Sequence, residues 1–276
     1  MKAKKLKYDL NDPMVLILCA LLFFLTVGCI FAGKASERVV YSIELDAAFG
    51  GSNKGYTGLI AESDINEKTV NALEALLEKD DRFSVHRTHP AGSEAAVTDS
   101  VAVIEKDVPL LVLSIHGGWD PDAAVSGTRV YTDLPGRKGE SEAKKFAQEI
   151  CDAFNADDWK ATRNYLYYHE SKGGTYTVEV TDADAEQPAG DGQDPVTWTL
   201  LEKTELPCVV VEQFFVSNEN DISRWDNEEG YQLIAEKYYS ALCKYFSIAE
   251  REFEEEPQET PEETTEESPE PTEASS

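Results

Sequence analysis

Short apolar segments alternate with amphipathic stretches through the middle of this 276-residue chain, from about Arg38 to Phe246. Apolar residues at helical spacing predict three helices, at Ile65–Lys79, Ser141–Phe154 and Glu228–Phe246, and Asp64 is a suitable N-cap for the first. Apolar and β-branched runs predict strands at Val39–Asp46, Phe83–Arg87, Leu110–Ile115, Thr128–Thr132 and Cys208–Val211. This alternation is typical of βαβ units. We therefore predict one α/β domain over residues 38–247, with a largely parallel twisted sheet and helices on both faces.

Residues 171–195 interrupt the alternation, because they combine Gly, Asp, Glu and Pro with few apolar side chains. They predict an acidic surface insertion, and long insertions of this kind are often functional or disordered. The start of the segment, Thr175–Val180, alternates in the manner of a strand and predicts one arm of a hairpin.

The N-terminal segment pairs positive charge with a long apolar run. Residues 1–13 contain four Lys, whereas residues 14–33 contain no charged side chain. The run has the length of a membrane-spanning helix, roughly 20 residues, and its basic flank favours a cytoplasmic N-terminus. We predict a single-pass signal anchor in the cell membrane with the domain on the extracytoplasmic face. A cleaved signal peptide, with its site near Ala32–Ser36, and a lipoprotein acylated at Cys29 are alternatives that place the domain on the same side.

The C-terminal residues 250–276 are almost entirely Glu, Pro, Thr and Ser. They cannot bury enough apolar surface to offset their chain entropy, so we predict a disordered tail. Twelve Glu and one Arg in this tail contribute to a net charge of −28 for the chain. A chain this acidic does not neutralise phosphates, and we expect no nucleic-acid partner.

Five cysteines are spread along the chain without the paired spacing of a metal site. Cys19 and Cys29 lie in the apolar N-terminal run, and three remain for the exported domain: Cys151, Cys208 and Cys243. An odd number does not indicate a disulfide framework. We interpret these three as small buried hydrophobic residues.

Four polar features follow or end the predicted strands, at the edge where open α/β sheets bind ligands. They are Asp46 with the segment Phe49–Gly51, Glu62 immediately before the first helix, His116 at the end of one apolar run, and Glu212 at the end of another. Each alone is adequately explained by a hydrogen-bonded structural role, because a buried polar group needs a partner. Their convergence on one edge predicts a metal or acid–base site.

These features belong to four segments in a fixed order: LDAAFGG at Leu45–Gly51, ESDIN at Glu62–Asn66, Ser114-Ile115-His116, and VEQFFVSN at Val211–Asn218. In order and spacing the chain resembles the zinc-dependent N-acetylmuramoyl-L-alanine amidases of bacterial cell walls, from about Val39 to Phe246. The resemblance implies hydrolysis of the amide between N-acetylmuramic acid and L-alanine in peptidoglycan. It implies Glu62 and His116 as zinc ligands and Glu212 as the general base acting on a metal-bound water.

One position departs from the resemblance. The family's first motif is of the D-P-G-H-G-G type and its His binds zinc, but here Phe49 stands in that place and Ala47-Ala48 replace Pro-Gly. Phenylalanine cannot coordinate zinc. His86 and His89 follow the second strand; His89 is a candidate replacement ligand, although for each of them alone we favour a surface histidine. Two hypotheses follow: a zinc amidase acting on peptidoglycan, or a catalytically inactive amidase-like module that binds peptidoglycan or a partner protein.

Overall fold

The computed structural model describes residues 13–17, 19–21, 23, 39–94, 96–170, 176–182 and 197–253. Residues 13–17, 19–21 and 23 are helical. Across the described ranges, no helix is both long enough and apolar enough to cross a membrane. The basic segment 1–12, much of the apolar run 14–33, most of the insertion and the tail from residue 254 onward lie outside the described residues.

Seven strands form one sheet in the order β2-β1-β3-β7-β4-β5-β6. They are β1 Tyr41–Ala47, β2 Phe83–Arg87, β3 Leu111–Gly118, β4 Thr128–Tyr131, β5 Ala161–Glu170, β6 Tyr176–Asp182 and β7 Cys208–Phe215. The first four strands in spatial order are mutually parallel, and β4 is parallel to β5. The pairs β7–β4 and β5–β6 are antiparallel. The predicted largely parallel sheet is therefore confirmed, and β6 is the second arm of the predicted hairpin.

Six helices accompany the sheet within residues 39–253: α1 Glu62–Glu78, α2 Val97–Asp107, α3 Glu140–Asn155, α4 Thr199–Lys203, α5 Glu219–Trp225 and α6 Glu228–Tyr245. The main core lies between α1, α3 and α6 and one face of the sheet. A smaller core lies on the other face, where Ile104 of α2 and Leu200 of α4 pack against Val112 and Val210. Both faces are therefore covered, as a sheet of fully buried parallel strands requires.

Several boundaries differ from the prediction. The N-cap of α1 is Ala61 rather than Asp64, so the capping prediction is wrong and Glu62 opens the helix. Strands β3 and β7 extend past their apolar runs, which places His116 and Glu212 within the strands rather than at their ends. The sequence did not predict α2, because only Ser100 and Ile104 of its eleven residues are buried and no apolar stripe marks it.

The folded part of the chain continues beyond the predicted boundary at residue 247. The ring of Phe253 packs against Tyr239, with ring centroids 5.6 Å apart, and Arg251 contacts Asp81 at 2.8 Å. Cys151, Cys208 and Cys243 are buried, as predicted.

Candidate functional site

Glu62 and His116 form a buried hydrogen-bonded pair at the carboxyl edge of the sheet. Nδ1 of His116 lies 3.0 Å from Oε1 of Glu62, and the side chains are 12% and 1% exposed. The backbone N–H of Gly117 donates to the same oxygen, and that of Tyr56 donates to Oε2. Both oxygens of the Glu62 carboxylate therefore have partners, and the contact with Glu62 places a proton on Nδ1 of His116.

Phe49 lies directly beside this pair. Its ring meets the His116 ring edge-on, with centroids 5.6 Å apart and an interplanar angle of 86°. A Cβ on Gly55 would lie 2.5 Å from Cδ2 of Phe49 and 2.6 Å from Oε2 of Glu62, so the ring and the carboxylate flank the same point. The phenyl ring thus contacts the space next to both predicted zinc ligands.

The loop that carries Phe49 is held by two hydrogen bonds to the backbone of Ala48. The N–H of Ala48 donates to the carbonyl of Ile115 at 3.1 Å, and Nδ2 of Asn66 donates to the Ala48 carbonyl at 2.9 Å. Phe49 has a φ of 67°, in the left-handed region that is uncommon for non-glycine residues. At Gly50 a Cβ would lie 2.1 Å from the Ser93 carbonyl oxygen, so only glycine fits that position.

Glu212 lies between two polar neighbours on the adjacent strands. It is paired with His116 on β3 and with Arg129 on β4. Tyr131 donates its hydroxyl to Oε2 at 2.7 Å, and Nη1 of Arg129 lies 3.8 Å away. Burial raises the pKa of Glu212 to about 7, although Tyr131, Arg129 and His116 all favour its charged form. The register of β3 and β7 therefore places His116 beside Glu212, and the start of α1 brings Glu62 to the same edge, as the sequence predicted.

Asp46 has a structural role at this edge. Its two carboxylate oxygens each accept a hydroxyl hydrogen bond of 2.6 Å, one from Thr88 after β2 and one from Ser114 on β3. The buried carboxylate thereby joins the ends of three neighbouring strands.

His89 lies near the site, but its ring nitrogens face backbone and hydroxyl oxygens. Nε2 is 2.9 Å from the Ala47 carbonyl oxygen, and Nδ1 is 3.3 Å from the Pro90 carbonyl oxygen. To bind a metal through Nε2, His89 would have to give up its contact with Ala47. His86, by contrast, is an exposed residue beside Ser84.

The side chains present do not fit a zinc ion. A catalytic zinc takes three protein ligands and keeps one open position. Within the described ranges, no three His, Cys, Asp or Glu side chains are grouped so that they could hold a metal. Glu62 and His116 are hydrogen-bonded to each other, and the phenyl ring of Phe49 lies beside them.

A cavity of about 700 Å³ opens beside His116. Phe49, His89 and His116 form one side, and the start of α2 and the segment Thr197–Leu200 form the other. The Trp198 ring lies 4.9 Å from the His116 ring and 5.5 Å from the Tyr131 ring, measured between centroids. Sequence reasoning missed this wall, because Thr197–Leu200 directly follows the polar insertion and α2 has no apolar stripe. A lone Trp after the insertion was the only signal.

An exposed aromatic pair lies on the same edge. The rings of Tyr56 and Trp119 are stacked at 5.3 Å with an interplanar angle of 9°, yet the two residues are 54% and 39% exposed. Tyr56 is adjacent to the site through its backbone hydrogen bond to Glu62, and Trp119 directly follows β3. The sequence analysis did not identify this pair.

Comparisons with known proteins bear on the family and the fold. The profile of a family described as N-acetylmuramoyl-L-alanine amidase matches residues 43–244. The catalytic domain of CwlV, an amidase from Bacillus (Paenibacillus) polymyxa var. colistinus, has a TM-score of 0.58 at 18% identity, over 76% of this chain and all (100%) of that one.

Two further solved structures are similar. Ami1 from Mycobacterium smegmatis has a TM-score of 0.58 at 16% identity, over 77% of this chain and 99% of that one. The CwlD amidase from Clostridioides difficile, solved in complex with the GerS lipoprotein, has a TM-score of 0.56 at 18% identity, over 75% and 98% of the two chains. No curated protein matches the chain. At these identities the structural likeness confirms the predicted fold.

Proposed function

Because the chain belongs to the N-acetylmuramoyl-L-alanine amidase family, we propose that it is a cell-wall domain that binds peptidoglycan without hydrolysing it. The observation that carries this proposal is the phenyl ring of Phe49 against His116 and beside Glu62. A residue that cannot coordinate a metal fills the place where the family resemblance requires the third ligand.

The loss of this ligand removes the activation that amide hydrolysis needs. In the family chemistry, zinc polarises the amide carbonyl and activates a water molecule. Two remaining ligands would hold the metal weakly and without a defined geometry. Glu212 retains a carboxyl group that titrates near neutral pH. A base alone, with no group to polarise the carbonyl, does not supply the larger electrostatic contribution to catalysis.

The binding half of the proposal is supported by the Tyr56–Trp119 pair. A stacked pair of exposed aromatic rings offers an apolar face that a partner can cover. The C–H faces of sugar rings pack against such rings, and peptidoglycan presents sugars. The pair lies next to the site, because the backbone N–H of Tyr56 donates a hydrogen bond to Glu62.

The second candidate is the hydrolase itself, with a substituted zinc ligand. Glu212 favours it, because a pKa near 7 suits a general base. His89 favours it as well, because it borders the same cavity as His116. This candidate requires His89 to exchange the Ala47 carbonyl for a metal.

Zinc content and peptide release, measured together on the full chain, separate the two candidates. The variants are wild type, Phe49→His, and Phe49→Leu as the matched control that changes the ring without adding a ligand. We expect wild type and Phe49→Leu to sediment with purified peptidoglycan sacculi, to hold no stoichiometric zinc and to release no peptide. Phe49→His completes a three-ligand set, and we expect its zinc affinity to rise by roughly tenfold or more.

Stoichiometric zinc in the wild-type protein, with peptide release that disappears in Glu212→Gln, would replace the binding proposal with the hydrolase. Zinc that is lost in His89→Ala would then identify His89 as the substituted ligand. Failure of the wild-type chain to sediment with sacculi would refute the binding proposal.

We further propose that residues 14–33 anchor the chain in the cell membrane with the domain on the extracytoplasmic face. The four Lys before an uncharged apolar run support this orientation. In intact cells, an external protease should digest the domain while the chain remains in the membrane fraction. Protection of the domain until the membrane is opened would contradict the proposal.

A further inference from the structure

We propose that an apolar patch at the amino ends of β1 and β3 rests on the lipid surface of the membrane. The patch consists of Val39, Val40, Val108 and Leu110, and we call it the amino-end patch. The inference rests on the proposed membrane anchor and goes beyond it, because an anchor alone does not determine which surface of the domain meets the lipid.

The four side chains of the amino-end patch share one edge of the sheet. Val39 and Val40 immediately precede β1. Val108 and Leu110 precede β3, the parallel neighbour of β1, and the N–H of Leu110 donates to the Ser42 carbonyl at 2.9 Å. The exposed fractions of the four side chains are, in chain order, 62%, 45%, 61% and 48%. Single exposed apolar residues are ordinary, but a group of four at one edge is typical of an interaction surface.

Val108 is held in a backbone conformation that does not suit it. It caps the C-terminal end of α2 with a φ of 47° and a ψ of 57°, in the left-handed region. Helices that end in this way usually have Gly or Asn in the left-handed position, because a β-branched residue is strained there. The chain thus keeps an exposed valine where a small or polar residue would cost less, and such local strain is typical of functional positions.

The length of the connection to the apolar N-terminal run identifies the partner. Six residue steps separate Gly33, the last residue of that run, from Val39. Even when fully extended, a connection of this length spans at most about 22 Å. The headgroup layer takes up roughly 5–8 Å of that distance, so an anchored domain keeps its amino-end patch close to the lipid. At the high effective concentration that such a tether gives, a few weak apolar contacts are sufficient.

Three acidic side chains at the same edge are paired with basic ones. The pairs, which precede β2 and β3 or contact those segments, are Asp80 with Arg82, Asp81 with Arg251, and Asp107 with Lys106. Pairing matters here because the chain carries a net charge of −28 and unpaired acids would be repelled by anionic headgroups. Contact with the boundary between headgroups and acyl chains covers the apolar side chains without burying these charges.

Quenching of tryptophan emission by brominated lipid tests this contact. The full chain is reconstituted in vesicles of phosphatidylcholine and phosphatidylglycerol, with or without bromine on the phosphatidylcholine acyl chains. Leu110→Trp places a reporter in the amino-end patch. Leu233→Trp is the matched control, because Leu233 is a similarly exposed leucine (42%) in the first half of α6. Wild type gives the quenching of the four native tryptophans, which is subtracted.

We expect brominated lipid to reduce the added emission of Leu110→Trp roughly twofold and to leave that of Leu233→Trp unchanged, because quenching needs contact with the acyl-chain boundary. Adding Val40→Ser and Val108→Asn to Leu110→Trp should restore most of the emission. These two changes remove apolar contact and keep the length of the connection.

Equal quenching of Leu110→Trp with and without the two added changes would mean that the short connection alone brings Leu110 to the lipid, and would overturn the proposal. Emission that shifts to shorter wavelength without being quenched would also overturn it. In that case protein covers the amino-end patch, either another segment of this chain or a second copy.

Flotation of the vesicles separates this inference from the proposed anchor. A chain that floats with the vesicles while Leu110→Trp is not quenched refutes the patch assignment alone. A chain that stays behind refutes the anchor and the patch assignment together. Peptidoglycan binding is measured separately, by sedimentation with sacculi, and depends on neither result.

Discussion

The two faces of the sheet are built from the same strands and have opposite characters. On β3, Leu111, Leu113 and Ile115 point into the main core with α1, α3 and α6. The alternate residues Ser114 and His116 face the other side, where α2 and α4 leave a cavity. The close-packed face stabilises the domain, whereas the other face carries the buried carboxyl groups of Glu44 and Asp46 and the candidate site.

Glu44 is a buried carboxyl group on the second face of the sheet. It is fully buried on β1, between the core residues Ile43 and Leu45, and neither carboxylate oxygen has a hydrogen-bond partner in the described structure. Burial raises the pKa of Glu44 to about 7, and Asp107 and Asp46 act in the same direction while Lys106 opposes them. The residue paired with Glu44 on the adjacent strand β2 is His86. Strand β1 thus packs apolar side chains into the main core on one face and buries an unpaired carboxyl group on the other.

We expect the largest effect from two matched leucine-to-alanine substitutions, one on each face of the sheet. Leu113 is fully buried in the main core, and we expect Leu113→Ala to lower the free energy of unfolding by about 3–5 kcal/mol. Leu200 borders the cavity, so Leu200→Ala enlarges an existing space and should cost about 2 kcal/mol. Urea denaturation followed by circular dichroism measures both. Equal losses would mean that the two faces are packed alike.

A change at Glu44 should alter the pH dependence of stability. Because the folded-state pKa lies near 7 and the ordinary value is 4.5, the native state binds the proton more tightly. The contribution of Glu44 to stability is therefore fully present below pH 4.5 and falls by about 3 kcal/mol as the pH rises to 7. Glu44→Gln should remove the Glu44 contribution and leave that of Glu212, whose pKa is also raised to about 7, whereas the exposed control Glu236→Gln should keep the full slope. An unchanged slope in Glu44→Gln would contradict the assignment.

The smallest expected effect comes from enlarging two adjacent valines on β7. Val211 faces the filled core and Val210 borders the cavity. Val211→Ile should cost about 1–3 kcal/mol by overpacking, while Val210→Ile should be close to neutral because space is present. The same denaturation experiment distinguishes them, and a larger loss at Val210 would show that the cavity is not available to side chains.

The regular parts of the fold could be predicted from the sequence because their apolar patterns are strong. The segments around β1, β3 and β7 and the helices α1, α3 and α6 all carry continuous or periodic apolar residues. Helix α2 and strand β5 could not be recognised, because α2 buries only two residues and β5 mixes polar and aromatic side chains.

The same distinction applies to the site. Glu62, His116 and Glu212 were identified because each lies next to a recognisable strand or helix, and the sheet register then brings them to one edge. Trp198 and Thr197 were not identified, because their relevance depends on a tertiary wall that no local pattern encodes. Whether Phe49 is accompanied by a substitute ligand also depends on distances between separate loops, which residue spacing does not determine.

The stacking of Tyr41 on Phe246 has a consequence for the orientation of the whole domain. The two rings are 4.2 Å apart, and Arg82 at the start of β2 donates to the carbonyl of Ala249. The folded domain is thus entered and left at the amino ends of its strands, whereas the cavity opens at their carboxyl ends, roughly 20 Å away along β1. In the proposed membrane-anchored protein, attachment at this end would turn the candidate site away from the membrane.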